Sequence, residues 1–324
     1  MKVVLLGSGN WGLAMASVFS QARPVVVWAK DEHELENARK NLAANYRYNA
    51  EKLVLEVKYS RELSPDDILI VAVPSSLVRE VARETAKFLK GRSLIVVSAS
   101  KGLEQPGFKT NSCVLREELP QCKIGAISGP TIAREVGEGR PAKAVLAAYD
   151  VESLMRMKYA LDNPVLKFEL SLRVVEVEFC AALKGVIAIG AGIADGLNLG
   201  KNFMGLLLTY GMQEFMELGR FFGISTQQML GIAGLGDLIT TCWSSNSRNH
   251  RFGYLLSQKV SVQEALNEVG MVVEGIRVAK DVAQLVNLNV PVEIFSAIAA
   301  VIDEPSDETL AAFVKVVSEY RGSS

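Results

Sequence analysis

Four groups of residues in this sequence have the types and spacing to do chemistry. Gly7-Ser8-Gly9-Asn10-Trp11-Gly12 fits G-x-G-x-x-G, a loop that brings backbone N–H groups close to a pyrophosphate. Gly7 allows a tight turn, Gly9 lacks the Cβ that would meet the anion, and Gly12 lets the following helix pack closely on the preceding strand. Lys184 sits in the almost wholly apolar string Ala181-Ala182-Leu183-Lys184-Gly185-Val186-Ile187-Ala188-Ile189. An ammonium there is costly without a partner or a lowered pKa, so the lysine is functional or salt-bridged, unless it snorkels to the surface. Asp237, in Gly234-Leu235-Gly236-Asp237-Leu238, stands where two glycines let backbone approach a ligand; its carboxylate can equally cap the next helix. Ser247-Arg248-Asn249 offers a guanidinium fork flanked by hydroxyl and amide donors ahead of a helical stretch. That set suits a phosphate monoester, and also a carboxylate; a solvated loop arginine is the plain alternative.

These groups need elements to hold them. Residues 3–6 form a short aliphatic run directly before the glycine loop, and residues 13–21 carry small and apolar side chains at helical spacing, so the loop lies between strand and helix. Further apolar runs at 24–28, 68–73, 94–98, 124–127 and 144–147 read as strands buried on both faces, with helical stretches such as 77–89 between them. Pro74 ends the strand at 68–73, and the loop after it falls at the carboxyl edge of the sheet, where such folds bind ligands; an ordinary strand stop reads the same way. From about Val175 the strand pattern stops. Residues 177–192, 203–222, 261–269, 274–285, 291–301 and 307–320 show helix periodicity, with caps at Ser261 and in Pro305-Ser306-Asp307. The predicted fold is α/β: a Rossmann-type parallel-sheet domain over residues 1–172, then an all-α domain over 173–324, with 322–324 disordered.

Composition narrows the function. A chain of 324 residues suggests two cores, and 35 basic against 36 acidic side chains leave no field that would draw nucleic acid or anionic lipid. Gly or a charge interrupts every apolar run before the roughly 20 residues of a spanning helix, so no integral membrane segment is expected. Cys113, Cys122, Cys180 and Cys242 form no C-x-x-C pair, and with two histidines no metal site is expected. The N-terminus lacks the pattern of a secretory signal, which makes the cytoplasm the default, and a homodimer is the default assembly. At the end of the second strand Lys30 could pair a 2′-phosphate and Asp31 could accept a ribose hydroxyl or cap a helix, so both NAD and NADP stay open.

The order of motifs resembles the NAD(P)-dependent glycerol-3-phosphate dehydrogenase family, bacterial type, over nearly the whole chain. The resemblance is carried by GSGNWGLAMA, by SKGLE at Ser100 to Glu104, and by SGPTIAREV at Ser128 to Val136. It continues in CAALKGVIAIGAGIADGL at Cys180 to Leu197, GLGDLITTC at Gly234 to Cys242, SRNHRFG at Ser247 to Gly253 and VVEG at Val272 to Gly275. It implies interconversion of sn-glycerol 3-phosphate and dihydroxyacetone phosphate with NAD or NADP, supplying glycerol 3-phosphate for phospholipid synthesis. Reducing a ketone by hydride builds charge on the carbonyl oxygen, so a positioned acid must donate a proton there. Lys184 is the candidate, and the family implies that it accepts the proton when alcohol is oxidised.

The resemblance also implies the other roles. Asp237 contacts substrate or holds Lys184, and substrate binding falls on Lys101, Gly129, Thr131, Lys184, Asp237, Ser247, Arg248 and Asn249. Cofactor contacts fall on Gly7, Gly9, Asn10, Trp11, Gly12, Lys30, Lys101, Ala133, Arg248, Val272 and Glu274. Catalysis is expected between the two domains. Three departures stand out: Gly185 where the family has Asn after the catalytic lysine, Asn10 where Ser is usual, and no Leu-Pro strings around residues 39–58. His33 and His250 are not needed, and His250 reads as a surface residue. A related dehydrogenase of a small hydroxy acid, or a dinucleotide sensor without turnover, would share the architecture.

Overall fold

The computed structural model describes residues 1–104, 107–244, 247–270 and 272–321, so the expectation for residues 322–324 lies outside the described residues. The chain divides into two compact units, Met1–Glu178 and Phe179–Ser324.

The first unit opens with β1 (Val3–Leu6), α1 (Asn10–Phe19), β2 (Val25–Ala29), α2 (Glu32–Asn45), β3 (Leu53–Val57) and β4 (Ile68–Val71). It continues with α3 (Val78–Leu89), β5 (Ile95–Ser98), a small ribbon of β6 (Leu103–Glu104) and β7 (Lys109–Thr110), α4 (Asn111–Glu118) and β8 (Lys123–Ser128). Then come α5 (Ala133–Gly137), β9 (Ala142–Ala148), α6 (Val151–Leu161) and β10 (Leu166–Ser171), and α7 (Val174–Gly196) runs on into the second unit. The main sheet has the order β10-β9-β8-β5-β4-β1-β2-β3. From β3 to β8 all pairs are parallel, whereas β9 runs antiparallel to β8. That one reversal departs from the expected parallel sheet, and the apolar run at 144–147 could not reveal it, because a doubly covered strand is buried in either direction.

Side chains of alternating parity separate onto the two faces. Val3 and Leu5 join one core with Leu13, Phe19 and Met157, while Val4 and Leu6 join the other with Val78, Leu89 and Leu115. Helices cover both faces, which is why the central strands read as unbroken aliphatic runs. The chain order reverses between β1 and β4, the switch point where such sheets bind ligands beyond their carboxyl ends.

The second unit is helical: α8 (Gly200–Phe221), α9 (Thr226–Met229), α10 (Asp237–Trp243), α11 (Arg248–Ser257), α12 (Val262–Val269), α13 (Glu274–Ala283), α14 (Glu293–Asp303) and α15 (Asp307–Glu319). A π-turn over Ile232–Gly236 leads into α10. Ser261 and Ser306 close capping boxes on α12 and α15, as their positions predict. By length and composition α7 could cross a membrane, so the breaks read along it do not exclude that; its apolar window is wholly buried inside the protein, which accounts for its composition. Within this unit α7 and α11 cross with their backbones in contact. A Cβ on Gly192 would collide with the His250 carbonyl, and one on Gly253 with the Ile189 carbonyl. This crossing fixes where residues of α11 stand relative to Lys184.

Candidate active site

In the first unit the glycine loop follows β1. Gly7 donates its N–H to the Trp28 carbonyl at 3.0 Å and takes φ +127°, a conformation that glycine adopts at little cost, and a Cβ there would stand 2.5 Å from the Ala72 carbonyl oxygen. Gly12 packs against the Gly7 carbonyl, while the direction of a Cβ on Gly9 meets nothing within 4 Å. The loop is therefore closed on its protein side and open at Gly9, at the N-terminus of α1, a shape that fits a pyrophosphate. Asn10 presents backbone there, because its side chain accepts from Asn41 at 3.0 Å. Trp11 is half-buried against the core, and among the described residues its buried indole N–H has no partner. Lys30 follows β2 and is exposed, and Asp31 caps α2 by accepting the Glu34 N–H at 2.9 Å.

At the same carboxyl edge, past β5 and β8, three sequence-predicted residues meet. Lys101 Nζ donates to the Gly129 carbonyl at 3.0 Å and to Thr131 Oγ1 at 3.3 Å. Gly129 has φ +146°, and a Cβ on it would approach Ala144 Cα at 2.9 Å, so only glycine fits that turn. Ser100 ties this loop to the end of β4 through the Val73 carbonyl at 2.5 Å. Asn111, which motif reading did not single out, donates to the carbonyls of Ser100 and Gly102 at 3.1 and 3.2 Å and so holds the backbone on both sides of Lys101. Ala133 begins α5.

The second unit carries the ionic chemistry. Lys184, in the middle of α7, is 7% exposed and forms an ion pair with Asp237, itself 1% exposed, at the first position of α10. Lys184 Nζ also donates to Thr241 Oγ1 at 3.0 Å, and Thr241 donates to the Asp237 carbonyl oxygen at 2.6 Å. The buried ammonium thus meets one carboxylate and one hydroxyl, which offsets the desolvation that an isolated charge would suffer. Thr241 lies four residues after Asp237 on α10, so one helical turn aims both at Lys184. Its spacing was in the sequence; what was missing was that α10 faces α7. Cys242 beside them is buried, and that burial holds its thiol well above the usual range despite the nearby Lys184, so it stays protonated and inert.

Ser247 is the N-cap of α11, its hydroxyl accepting the His250 N–H at 3.3 Å. Arg248 opens the helix. The protein packed about its guanidinium costs it hydration and lowers its pKa, Glu274 acts in the opposite sense, and the group remains a cation with solvent-accessible surface. Asn249 Oδ1 accepts the Gly275 N–H at 3.1 Å, supplying α13 with a partner that its own N-cap, Val273, does not offer. Val272 is exposed just before that helix, and Glu274 is in its first turn. His250 is buried, not on the surface: its Nε2 lies 2.8 Å from Asp195 at the far end of α7. His33 is exposed.

The first unit carries a dinucleotide-shaped loop and the second a buried, ion-paired lysine. Residues 2–154 match the N-terminal model of NAD-dependent glycerol-3-phosphate dehydrogenase and residues 174–311 its C-terminal model. A glycerol-3-phosphate dehydrogenase [NAD(P)+] of Fusobacterium nucleatum is 36% identical over 302 residues, 90% of each chain. The chain belongs to the NAD-dependent glycerol-3-phosphate dehydrogenase family. The like-named protein of Dechloromonas aromatica is 34% identical over 94% of this chain and 93% of its own. The crystal structure of glycerol-3-phosphate dehydrogenase from Coxiella burnetii superposes with a TM-score of 0.88 at 28% identity, covering 98% of both chains. The resemblance read from seven motifs therefore holds along the chain, as does the fold of Rossmann-type sheet and helical second half. The departure at Gly185 has a structural counterpart in this member of the family. A Cβ there would stand 3.1 Å from Asn249 Nδ2 and 3.2 Å from Gly275 Cα, so the space beside the lysine is filled by the Asn249 amide.

Proposed function

We propose that this protein interconverts sn-glycerol 3-phosphate and dihydroxyacetone phosphate with NAD(P), and that it supplies glycerol 3-phosphate for phospholipid synthesis in the cytoplasm, as a homodimer. The observation that carries the reaction is the buried Lys184 held by Asp237 and Thr241, with Asn249, the neighbour of Arg248, filling the space beside Gly185. When bound, the nicotinamide cofactor supplies or accepts the hydride. Gly7, Gly9, Gly12 and the backbone at Asn10 and Trp11 hold its pyrophosphate, with Lys30, Lys101, Ala133, Arg248, Val272 and Glu274 as further cofactor contacts.

Lys184 gives a proton to the carbonyl oxygen of the ketone as charge develops there, and takes one from the hydroxyl in the other direction. Asp237 holds the Lys184 side chain in place between turnovers, and Thr241, oriented by its bond to the Asp237 carbonyl, fixes a second direction around Nζ. Arg248, with Ser247, Asn249 and the first N–H groups of α11, holds the phosphate. Lys101, kept near Gly129 and Thr131, contributes a second cation to the substrate.

The test is to follow NADH and NADPH absorbance after adding dihydroxyacetone phosphate, with unphosphorylated dihydroxyacetone as control. Oxidation with the phosphorylated ketone alone supports the reaction and the clamp. Binding of dinucleotide without oxidation of either would overturn the reaction and favour a hydroxy-acid dehydrogenase or a sensor.

A further inference from the structure

Asp31 and Glu34, past the carboxyl end of β2, do different work. Asp31 is engaged as the N-cap of α2. Glu34, one turn along that helix, folds back toward the glycine loop: its Oε2 accepts the Lys30 N–H at 3.1 Å and the Ser8 hydroxyl at 3.3 Å. Ser8 lies between Gly7 and Gly9 of the loop, and Gly7 is bonded to the end of β2 at Trp28, so the loop and the strand end are adjacent. The Glu34 carboxylate therefore bridges the loop and the end of the second strand, where this fold places the adenosine ribose of a dinucleotide.

We infer that Glu34 makes the site select the dinucleotide whose adenosine ribose carries a free 2′-hydroxyl over the 2′-phosphorylated one. The inference rests on the reading of this loop as a dinucleotide site. An ionised carboxylate only accepts hydrogen bonds, so it takes the 2′-hydroxyl as a donor and repels a 2′-phosphate. Two anchors hold it in place, one of them a backbone N–H that no change of side chain removes. Two of the cations nearby are engaged by carboxylates of their own. Lys58, whose N–H bonds the Ala29 carbonyl at the end of β2, is committed to Glu84 at 2.5 Å. Arg39 on α2 faces Glu36. Lys30 is exposed, and its backbone serves Glu34.

The experiment is a direct titration of the full-length protein with NADH and with NADPH, without substrate, read by calorimetry or quenching of tryptophan fluorescence. The wild type is expected to bind NADH at least about 10-fold more tightly, the scale of one hydrogen bond to a charged group. Glu34→Gln removes the charge at constant shape on an exposed side chain; it should tighten NADPH and bring the two affinities to within about 3-fold. NADPH bound as tightly as NADH by the wild type, or a ratio unmoved by Glu34→Gln, would overturn the inference while the dinucleotide site stands. Failure to bind either dinucleotide would overturn both.

Discussion

Asn249 occupies the space beside Gly185: its Nδ2 lies 3.1 Å from where a β-carbon on Gly185 would stand, and its Oδ1 accepts the Gly275 N–H at 3.1 Å. One amide thus stands where α7, α11 and α13 meet, next to Lys184. Replacing Gly185 by Ala crowds that amide against Gly275, and overpacking of this kind costs about 1–3 kcal/mol. The KM for dihydroxyacetone phosphate should rise about 5-fold or more as Asn249 leaves its place beside Arg248, with a lowered Tm. Steady-state kinetics showing an unaltered KM would mean that Asn249 does not depend on the missing side chain at 185.

Asp237 is the counter-charge of a buried ammonium. Asp237→Asn leaves that ammonium with Thr241 and a neutral amide, and breaking a buried pair on one side costs about 3–5 kcal/mol. Thermal unfolding should move down by several degrees, and kcat should fall on the order of 100-fold because Lys184 is no longer held. A variant with a wild-type kcat would show that the ion pair serves stability alone.

Arg248 is the phosphate-binding cation of the proposal. Arg248→Ala should raise the KM for dihydroxyacetone phosphate about 10- to 100-fold, the value of one or two charge-assisted hydrogen bonds, while the slow reaction of unphosphorylated dihydroxyacetone should scarcely change. Equal losses on both substrates would move the phosphate site elsewhere.

Much of this was legible in the sequence, and the gaps have physical causes. The glycine loop could be read because its chemistry is local: strand, turn and helix N-terminus are contiguous in the chain. Lys184 stood out because an ammonium in an apolar helix demands an explanation, and the explanation proved to be Asp237. Strands β3 and β10 escaped notice because they form the two edges of the sheet, with exposed positions along their length and charged residues such as Glu56 and Lys167 among them. His250 was misplaced because its partner Asp195 lies 55 residues away in the chain, and only the close crossing of α7 and α11 brings them together. Thr241 and Glu34 were missed for the same reason: each acts by pointing at a residue on another segment, which no spacing reports.

Glu214 gives a pH dependence outside the reaction. Its buried carboxyl caps α14 by accepting the N–H groups of Ile294 and Phe295 at 2.7 and 3.1 Å, and burial pushes its pKa up to about 7. In the unfolded chain the group titrates near 4.5. The folded state therefore holds a proton that the unfolded state releases between those values, and stability falls as pH rises from about 4.5 to about 7, by a few kcal/mol from this group. Denaturant unfolding of Glu214→Gln should show a shallower loss across that window than the wild type; identical slopes would show that Glu214 is ionised in both states.

The central claim is that Lys184 moves the proton at the substrate oxygen. Its most direct test is Lys184→Met, which keeps length and apolar volume, with kcat and NAD(P)H affinity measured on the same sample. A loss of kcat of at least about 1,000-fold is expected, with dinucleotide affinity within severalfold of wild type and a folded protein by circular dichroism. Turnover within about 10-fold of wild type would contradict the account, since general acid–base assistance of this kind is worth more than that.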